Sequence, residues 1–463
     1  MNFFIINADT YRYDNLFDRA DMPVRTPHLD RFAERAVELS RMYAGSFPTI
    51  PERTDLIPGR YGWPWYGWQD LARSSPNCMP KILAESDYVS QLICDCPHLF
   101  NSGFQKVFHA AVQVRGQEGD LPLLRMNREI KEVMPRAKTR KGHHFQGHTL
   151  ADQHRWTNQY YEKEADAFPP RTAALAIDFL EENYRHDPFL LWLDFFDPHE
   201  PWDPPEYLVR KYDPDYDGTP MLHPNYGKAS DYTPAELRNL RAHYCAEAEL
   251  VVRWVGRVLE KIDDLGLWQN SVIIFTTDHG IALGEHNRTG KSNINENDDR
   301  MWPLYPEIAH IPFLIAAPDV EGGRKLDLFA QPADIFPTLL DLAGLRAEPP
   351  EPFHGQSIAP QLKGEHKKPV RDLAISGSFL RSQGGTIRPT AVTPMVYTEK
   401  WAYAPYGTEG DRELYDLEAD PGADANVADA HPAVVADLHQ RAVQWLRDIE
   451  APAEAVSLLA DSE

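Results

Sequence analysis

"SVIIFTTDHGIALGEHNRTGK", Ser271–Lys291, begins as an apolar run and ends as a chain of chemistry-bearing groups. Val272 to Phe275 are β-branched or aromatic, and the run is too short for a buried helix, so it reads as a strand buried on both faces. Asp278-His279-Gly280, Gly284-Glu285-His286 and Gly290-Lys291 then follow without helical or strand period. A loop, not a periodic element, carries these groups. In open α/β sheets ligands bind beyond the carboxyl ends of strands, which is where this acid and histidine fall.

Working outward, "FFIINA" (Phe3–Ala8), "PFLLWLDFF" (Pro188–Phe196) and "IPFLIAAP" (Ile311–Pro318) have the same character. They predict a parallel sheet covered by helices on both faces. "TPHLDRFAERAV" predicts a helix capped by Thr26, with Pro27 first and Leu29, Phe32, Ala33, Ala36 and Val37 on one face. "TPAELRNLRAHYCAEAELVVRWVGRVLEKIDDLG" opens on a capping box, Thr233 with Glu236, and stops near Gly266. The expected organisation is a catalytic α/β domain over 1–365, with 101–170 an insertion or lid, and a small C-terminal α+β subdomain over 366–463. In the latter "VYTEKWAYAPYG" reads as a hairpin and "PAVVADLHQRAVQWLRDI" as an amphipathic helix. The lid is His-rich: His143, His144, His148 and His154 are read as surface or substrate-contacting groups before metal ligands.

A formal charge of -23 over 463 residues argues against a nucleic-acid partner. A local cation can still reverse the field for a small anionic substrate. No apolar run approaches the roughly 18 residues of a membrane span, and no signal peptide precedes the first strand. The 4 cysteines are too few for a disulfide framework. A cytoplasmic protein is the expectation.

Two acids and a histidine at strand ends, Asp9, Asp278 and His279, suit a divalent cation. In "SFPTIPERTDLIPGRYG", Ser46–Gly62, Thr49 has two readings. It caps a helix, with Glu52 closing a capping box, and its hydroxyl stands in the positive field of a helix N-terminus, one turn from Arg53. Trp63, Trp65, Trp68 and Trp202 stack on a substrate or fill the core.

These motifs together resemble the sulfatases of the alkaline phosphatase superfamily. "IINADTYRYDNL" resembles that family's opening strand and metal aspartate, and "TPHLDRFAERAVELSRMYAGS" its following segment. "TIPERTDLIPGRY" is similar to its Cys/Ser-x-Pro-x-Arg-x-x-x-Leu-x-x-Gly-Arg-Tyr signature, allowing for one shifted residue. "DPHEPWDPP" resembles the histidine loop, "TTDHGIALGEHN" with Lys291 the second metal and anion loop, and "QPADIFPTLLDLAGL", "FHGQSIAPQLKGE" and "ELYDLEADPGADANVA" its later segments. The resemblance implies a mixed sheet sandwiched by helices. It implies one divalent metal, Ca, Mg or Mn with Zn as a further candidate, held by Asp9, Asp278 and His279, with Thr10 where many members carry a second aspartate. It makes Thr49 the nucleophile, supported by Arg53, with His98, His199 and Lys291 on the anion or the leaving oxygen and His310 at a substrate-binding position.

Departures from the family pattern shape the functional expectation. Cys96 stands where members have a lysine, and Thr49 where they have the cysteine or serine that becomes formylglycine. Threonine would give a ketone, so no formylglycine is expected and Thr49 acts as a metal-activated alcohol. The expected function is hydrolysis of a sulfate ester. The alternatives are a phosphate or phosphonate ester hydrolase and a pseudo-enzyme that binds without turnover. The expected partner is a small anionic ester, with no nucleic acid, no membrane and a homo-oligomer left open.

Overall fold

The computed structural model describes residues 1–17, 19–71, 77–121, 124–140, 146–291, 300, 302–378 and 393–461. Its strands are β1 Asn2–Ala8, β2 Val37–Met42, β3 Ser46–Phe47, β4 Val89–Cys94, β5 Ala110–Gln113, β6 Phe189–Phe195, β7 Gly227–Lys228 and β8 Ser271–Thr276. β9 Ala282–Leu283, β10 Arg288–Gly290, β11 Phe313–Ala316, β12 Arg324–Ala330, β13 Ala374–Ser378, β14 Thr393–Tyr397, β15 Trp401–Ala404 and β16 Glu413–Asp416 follow. Eight of them form the main sheet, in the order β12-β2-β11-β8-β1-β6-β4-β5.

β1 lies parallel to both β6 and β8, as apolar runs buried on both faces require. The sheet is mixed, however. β11, from "IPFLIAAP", runs antiparallel to β8 and to β2, as the mixed sheet implied by the family resemblance allows and its apolar run alone does not reveal. Alternation along β1 assigns its side chains to two cores. Phe4, Ile6 and Ala8 pack under the helices Phe168–Asn183 and Pro234–Asp264, whereas Phe3 and Ile5 face the side of helix Ile335–Leu342.

The long helix forms as read: Glu236 N–H donates to Thr233 Oγ1 at 3.3 Å, and Thr233 N–H to the Glu236 carboxylate at 2.8 Å. It ends at Asp264, and Gly266 takes φ +69°. The earlier helix, α1, is shorter than its apolar spacing predicts, spanning Pro27–Ala33. Val37 belongs to β2, because pairing with β11 and β12 captures residues whose spacing also fits a helix face. Thr26 is the N-cap, as read, with its carbonyl accepting from Asp30 N–H at 2.9 Å, but its hydroxyl donates to the Asp30 side chain at 3.0 Å and accepts from no first-turn N–H.

A second sheet has the order β16-β15-β14-β13-β3. The hairpin β14–β15 is present, and the helices Pro432–Asp448 and Ala453–Ala460 cover this sheet with Val435, Leu438, Leu446 and Leu459. Its edge strand comes from far upstream: β3 pairs with β13 and leads straight into α2, Thr49–Leu56. A third, three-stranded sheet, β7-β10-β9, ends at Gly290 and so delivers Lys291. Within 101–170, β5 is the edge strand of the main sheet and Leu150–Thr157 is a helix. No helix among the described residues is long and apolar enough to cross a membrane.

Candidate active site

Asp9 follows β1 directly, and its N–H donates to the Phe195 carbonyl at 2.8 Å, continuing the β1–β6 ladder. Asp278 and His279 follow β8 next to it. Thr10 bridges the two acids from a left-handed backbone, φ +64°, which a threonine adopts only when its surroundings hold it there. Its N–H donates to Asp278 Oδ1 at 3.0 Å and its hydroxyl to Asp9 Oδ1 at 2.7 Å. The ligand atoms of Asp9, Asp278 and His279 lie within 4.8 Å of one another, and all three residues are fully buried.

This donor set fits a divalent cation. His279 Nδ1 faces the Gly280 carbonyl at 2.8 Å, so the neutral ring carries its proton there and leaves Nε2 bare. Nε2 has no hydrogen-bond partner although it is buried. Burial, the Asp278 charge notwithstanding, lowers the imidazole to about 4, which keeps that lone pair free at neutral pH. Burial and then the facing Asp278 push the Asp9 carboxyl up. Burial also opposes charge on Asp278, but His279, Arg53 and the Thr10 N–H outweigh it and hold that carboxyl down.

Arg53 explains how fully buried acids can be gathered here. Its Nε and Nη2 grip the two oxygens of Asp194 at 2.8 and 2.6 Å. Nη1 donates to Asp278 at 2.8 Å and to the Thr49 carbonyl at 2.9 Å, and Nη2 to Asp9 at 3.1 Å. All five N–H groups of the guanidinium are thereby committed. Arg53 therefore meets Thr49 at its carbonyl, not at its hydroxyl, and acts as the clamp that orients the acids.

Asp194 was not singled out from the sequence. Its signal was a carboxylate inside the apolar run "FLLWLDF", since a charge in a doubly buried strand requires a partner.

Thr49 is buried and is the first residue of α2; the cap position belongs to Pro48. The expected capping box does not form: the helix starts one residue early, and Glu52 Oε2 has no partner. Among the described residues the Thr49 hydroxyl makes no hydrogen bond, which leaves it without a capping duty.

On the other side, Lys291 Nζ stands 3.2 Å from Thr10 Oγ1 and 3.4 Å from Glu200 Oε2. Glu200 is fully buried and also accepts from the Tyr226 hydroxyl. His199 stacks on Phe196 at 4.0 Å and turns Nδ1 to the Glu200 carbonyl at 2.7 Å. Burial and the Lys291 charge push the His199 ring well below its ordinary value despite Glu200. His98 lies edge-on to Phe196 at 5.5 Å and to Trp68 at 5.0 Å, and burial with Lys291 and Arg53 lowers it to about 4. Trp63 and Trp202 are core residues.

His310 is brought elsewhere. Its ring stacks on Tyr13 at 3.7 Å and Tyr43 at 4.8 Å, and its Nε2 bonds the Ser40 carbonyl at 2.8 Å. None of these partners belongs to the cluster, so the structure brings His310 to the packing of Tyr13 and Tyr43 and not to the Asp9, Asp278 and His279 group. His154 pairs with Asp203 at 3.1 Å, and His143 and His144 lie outside the described residues.

Three residues of the segment 116–140 reach the site without having been singled out. Glu118 Oε2 is 3.9 Å from His199 Nδ1, and Arg140 Nη1 is 3.8 Å from Glu118 Oε1. Gly119 takes φ +82° and approaches His98 so closely that a Cβ there would meet the ring at 2.5 Å.

A family model described as Sulfatase matches residues 1–345, and one described as N-sulphoglucosamine sulphohydrolase, C-terminal, matches 297–448. An arylsulfatase K of Xenopus laevis is 29% identical over 217 residues, covering 45% of this chain but only 38% of its own. An arylsulfatase of Clostridium perfringens is 23% identical over 479 residues, covering 97% and 93% of the two chains. Among solved structures, a phosphonate monoester hydrolase of Agrobacterium radiobacter superposes with a TM-score of 0.74 at 22% identity, over 97% of this chain and 96% of its own. That likeness concerns the fold.

Proposed function

The chain belongs to the sulfatase family, and from that premise we propose that it hydrolyses a sulfate ester, with the Thr49 hydroxyl as nucleophile. The observation that carries this reading is the buried cluster of Asp9, Asp278 and His279 with a bare, unpartnered imidazole nitrogen. These three residues would hold one divalent cation, with the Thr10 hydroxyl at its edge. An oxygen-rich set suits Ca, Mg or Mn, and the imidazole also admits Zn. When bound, the cation supplies positive charge that lowers the cost of ionising an alcohol.

The chain's own residues do the rest. Arg53 fixes the two acids and the first turn of α2, so the Thr49 hydroxyl is held in place without being hydrogen-bonded away. Lys291, His98 and His199 line the side where the ester's charged oxygens bind, and the ammonium offsets their charge. Thr49 Oγ loses its proton and forms a bond to sulfur while the bond from sulfur to the leaving oxygen breaks. Water then attacks the same sulfur, the Thr49–sulfur bond opens, and sulfate and the free hydroxyl are restored. With Nδ1–H committed to the Glu200 carbonyl, neutral His199 takes the Thr49 proton on Nε2 and gives it to the leaving oxygen, then takes a proton from the attacking water and returns it to Thr49 Oγ.

One residue favours a second reading. The methyl of Thr49 forbids the aldehyde route, and clearing an ester by attack of water at its central atom is chemistry that phosphorus esters share. The substrate is then a phosphate or phosphonate ester at the same site.

Aryl sulfates, phosphates and phosphonates assayed with Ca, Mg, Mn or Zn decide between them. Thr49→Ala is expected to lower turnover by at least about 10³-fold while the metal still binds. Unchanged turnover in that variant removes Thr49 from the mechanism. A metal-loaded wild type that hydrolyses none of the panel makes the chain a binding protein.

A further inference from the structure

Among the described residues, Arg140 is a cation at this cleft that the reading above leaves without work. Its side chain is partly exposed, and among the described residues its guanidinium makes no hydrogen bond. Nε is buried and unpartnered. The nearest carboxylate oxygen, on Glu118, is 3.8 Å away, too far for a hydrogen bond. Cζ of the guanidinium lies 5.2 Å from the centre of the Tyr226 ring, whose hydroxyl is bonded to Glu200.

Placement ties this residue to the reacting centre. Glu118 stands between Arg140 and His199, at 3.8 and 3.9 Å respectively, and its neighbour Gly119 closes on His98. A guanidinium offers a planar fork that matches a carboxylate, sulfate or phosphate bidentately. Burying the Arg140 Nε without a partner is costly, and the two Nη groups reach the solvent side of the cleft, where an anion can meet them. The adjacent Glu118 is not hydrogen-bonded to Arg140, and burial pushes that carboxyl up against the pull of the guanidinium. The charge of Arg140 is felt as far as His98 and His223, both of which it helps to lower.

We propose that Arg140 forms a second anion subsite, which binds a carboxylate, sulfate or phosphate carried by the leaving group of the ester. The substrate class is therefore a polyanionic ester, with a second negative group one side chain away from the bond that breaks. This rests on the ester-hydrolase reading of the Thr49 site and narrows it.

The test compares two aryl sulfates, one plain and one with a ring carboxylate, and a third bearing a second sulfate. The wild type is expected to favour the dianionic esters in kcat/KM. Arg140→Ala and Arg140→Gln are expected to cut that preference about tenfold or more, and Arg140→Lys to restore part of it. Whichever arm loses more identifies the second anion. A preference that survives Arg140→Ala, or is absent from the wild type, overturns the subsite. Calorimetric binding of the same esters to wild type and variant reads the ratio without turnover. Arg140-dependent binding with no hydrolysis overturns the Thr49 mechanism alone, and hydrolysis with an Arg140-independent ratio overturns the subsite alone.

Discussion

His310 and Arg53 show at the residue scale how differently two basic groups can use burial. Arg53 converts three buried acids from a liability into a rigid frame, since each carboxylate finds a fixed donor. His310 touches no acid and serves the packing of Tyr13 and Tyr43 against β2. His310→Gln should therefore cost about 1–2 kcal/mol in urea unfolding and leave KM within about twofold. A tenfold rise in KM at unchanged stability returns the residue to the substrate.

Its pH dependence has a definite sign. Burial, then Arg19, Lys325 and Arg41, lower the folded imidazole from 6.5 to about 4. Between those values the unfolded chain binds more protons, so stability falls as pH drops from about 6.5 towards 4. The variant should show a shallower fall across that window, and an equal slope in both proteins excludes His310 as a contributor.

At the element scale the decisive unit is β3 with α2. Ser46 and Phe47 pair in parallel with Gly377 and Ser378 of β13, and the chain enters α2 at the next residues. The small sheet thus anchors the helix that presents Thr49. Gly377 of β13 also packs on Trp63: a Cβ there would lie 2.3 Å from the indole. Gly377→Ala should destabilise by about 1–3 kcal/mol and lower turnover with it. Adding Trp63→Leu should recover part of both, because the clash is shared. Fully additive losses in the double variant contradict the contact.

Periodicity was a good guide to β1, β6, β8 and the long helix, whose neighbours only reinforce their local pattern. It failed where two periods overlapped, at Val37, and where a helix start was set by what packs around it, at Thr49.

For the whole molecule, the cluster joins Asp9 at the end of β1 with Asp278 and His279 beyond the adjacent strand β8, from distant parts of one chain. A cation bound there ties both strand ends together, so it should stabilise the folded state by mass action. At a concentration of a hundred dissociation constants the gain is about 2.7 kcal/mol, a few degrees in Tm. Thermal scans with added Mn or Ca and with a chelator should show this shift in the wild type and lose it in Asp278→Ala. An equal shift in that variant places the cation elsewhere.

Read alone, the chain was enough to determine the α/β class, the acids at the strand ends and the order of motifs that marks the family, because strand period and loop chemistry are local properties. Only the tertiary structure decided that Arg53 serves the acids, that Asp194, Glu118 and Arg140 stand around the site, and that His310 stands apart. Those roles depend on which side chains meet across strands and loops far apart in sequence, and no local pattern encodes a meeting of that kind.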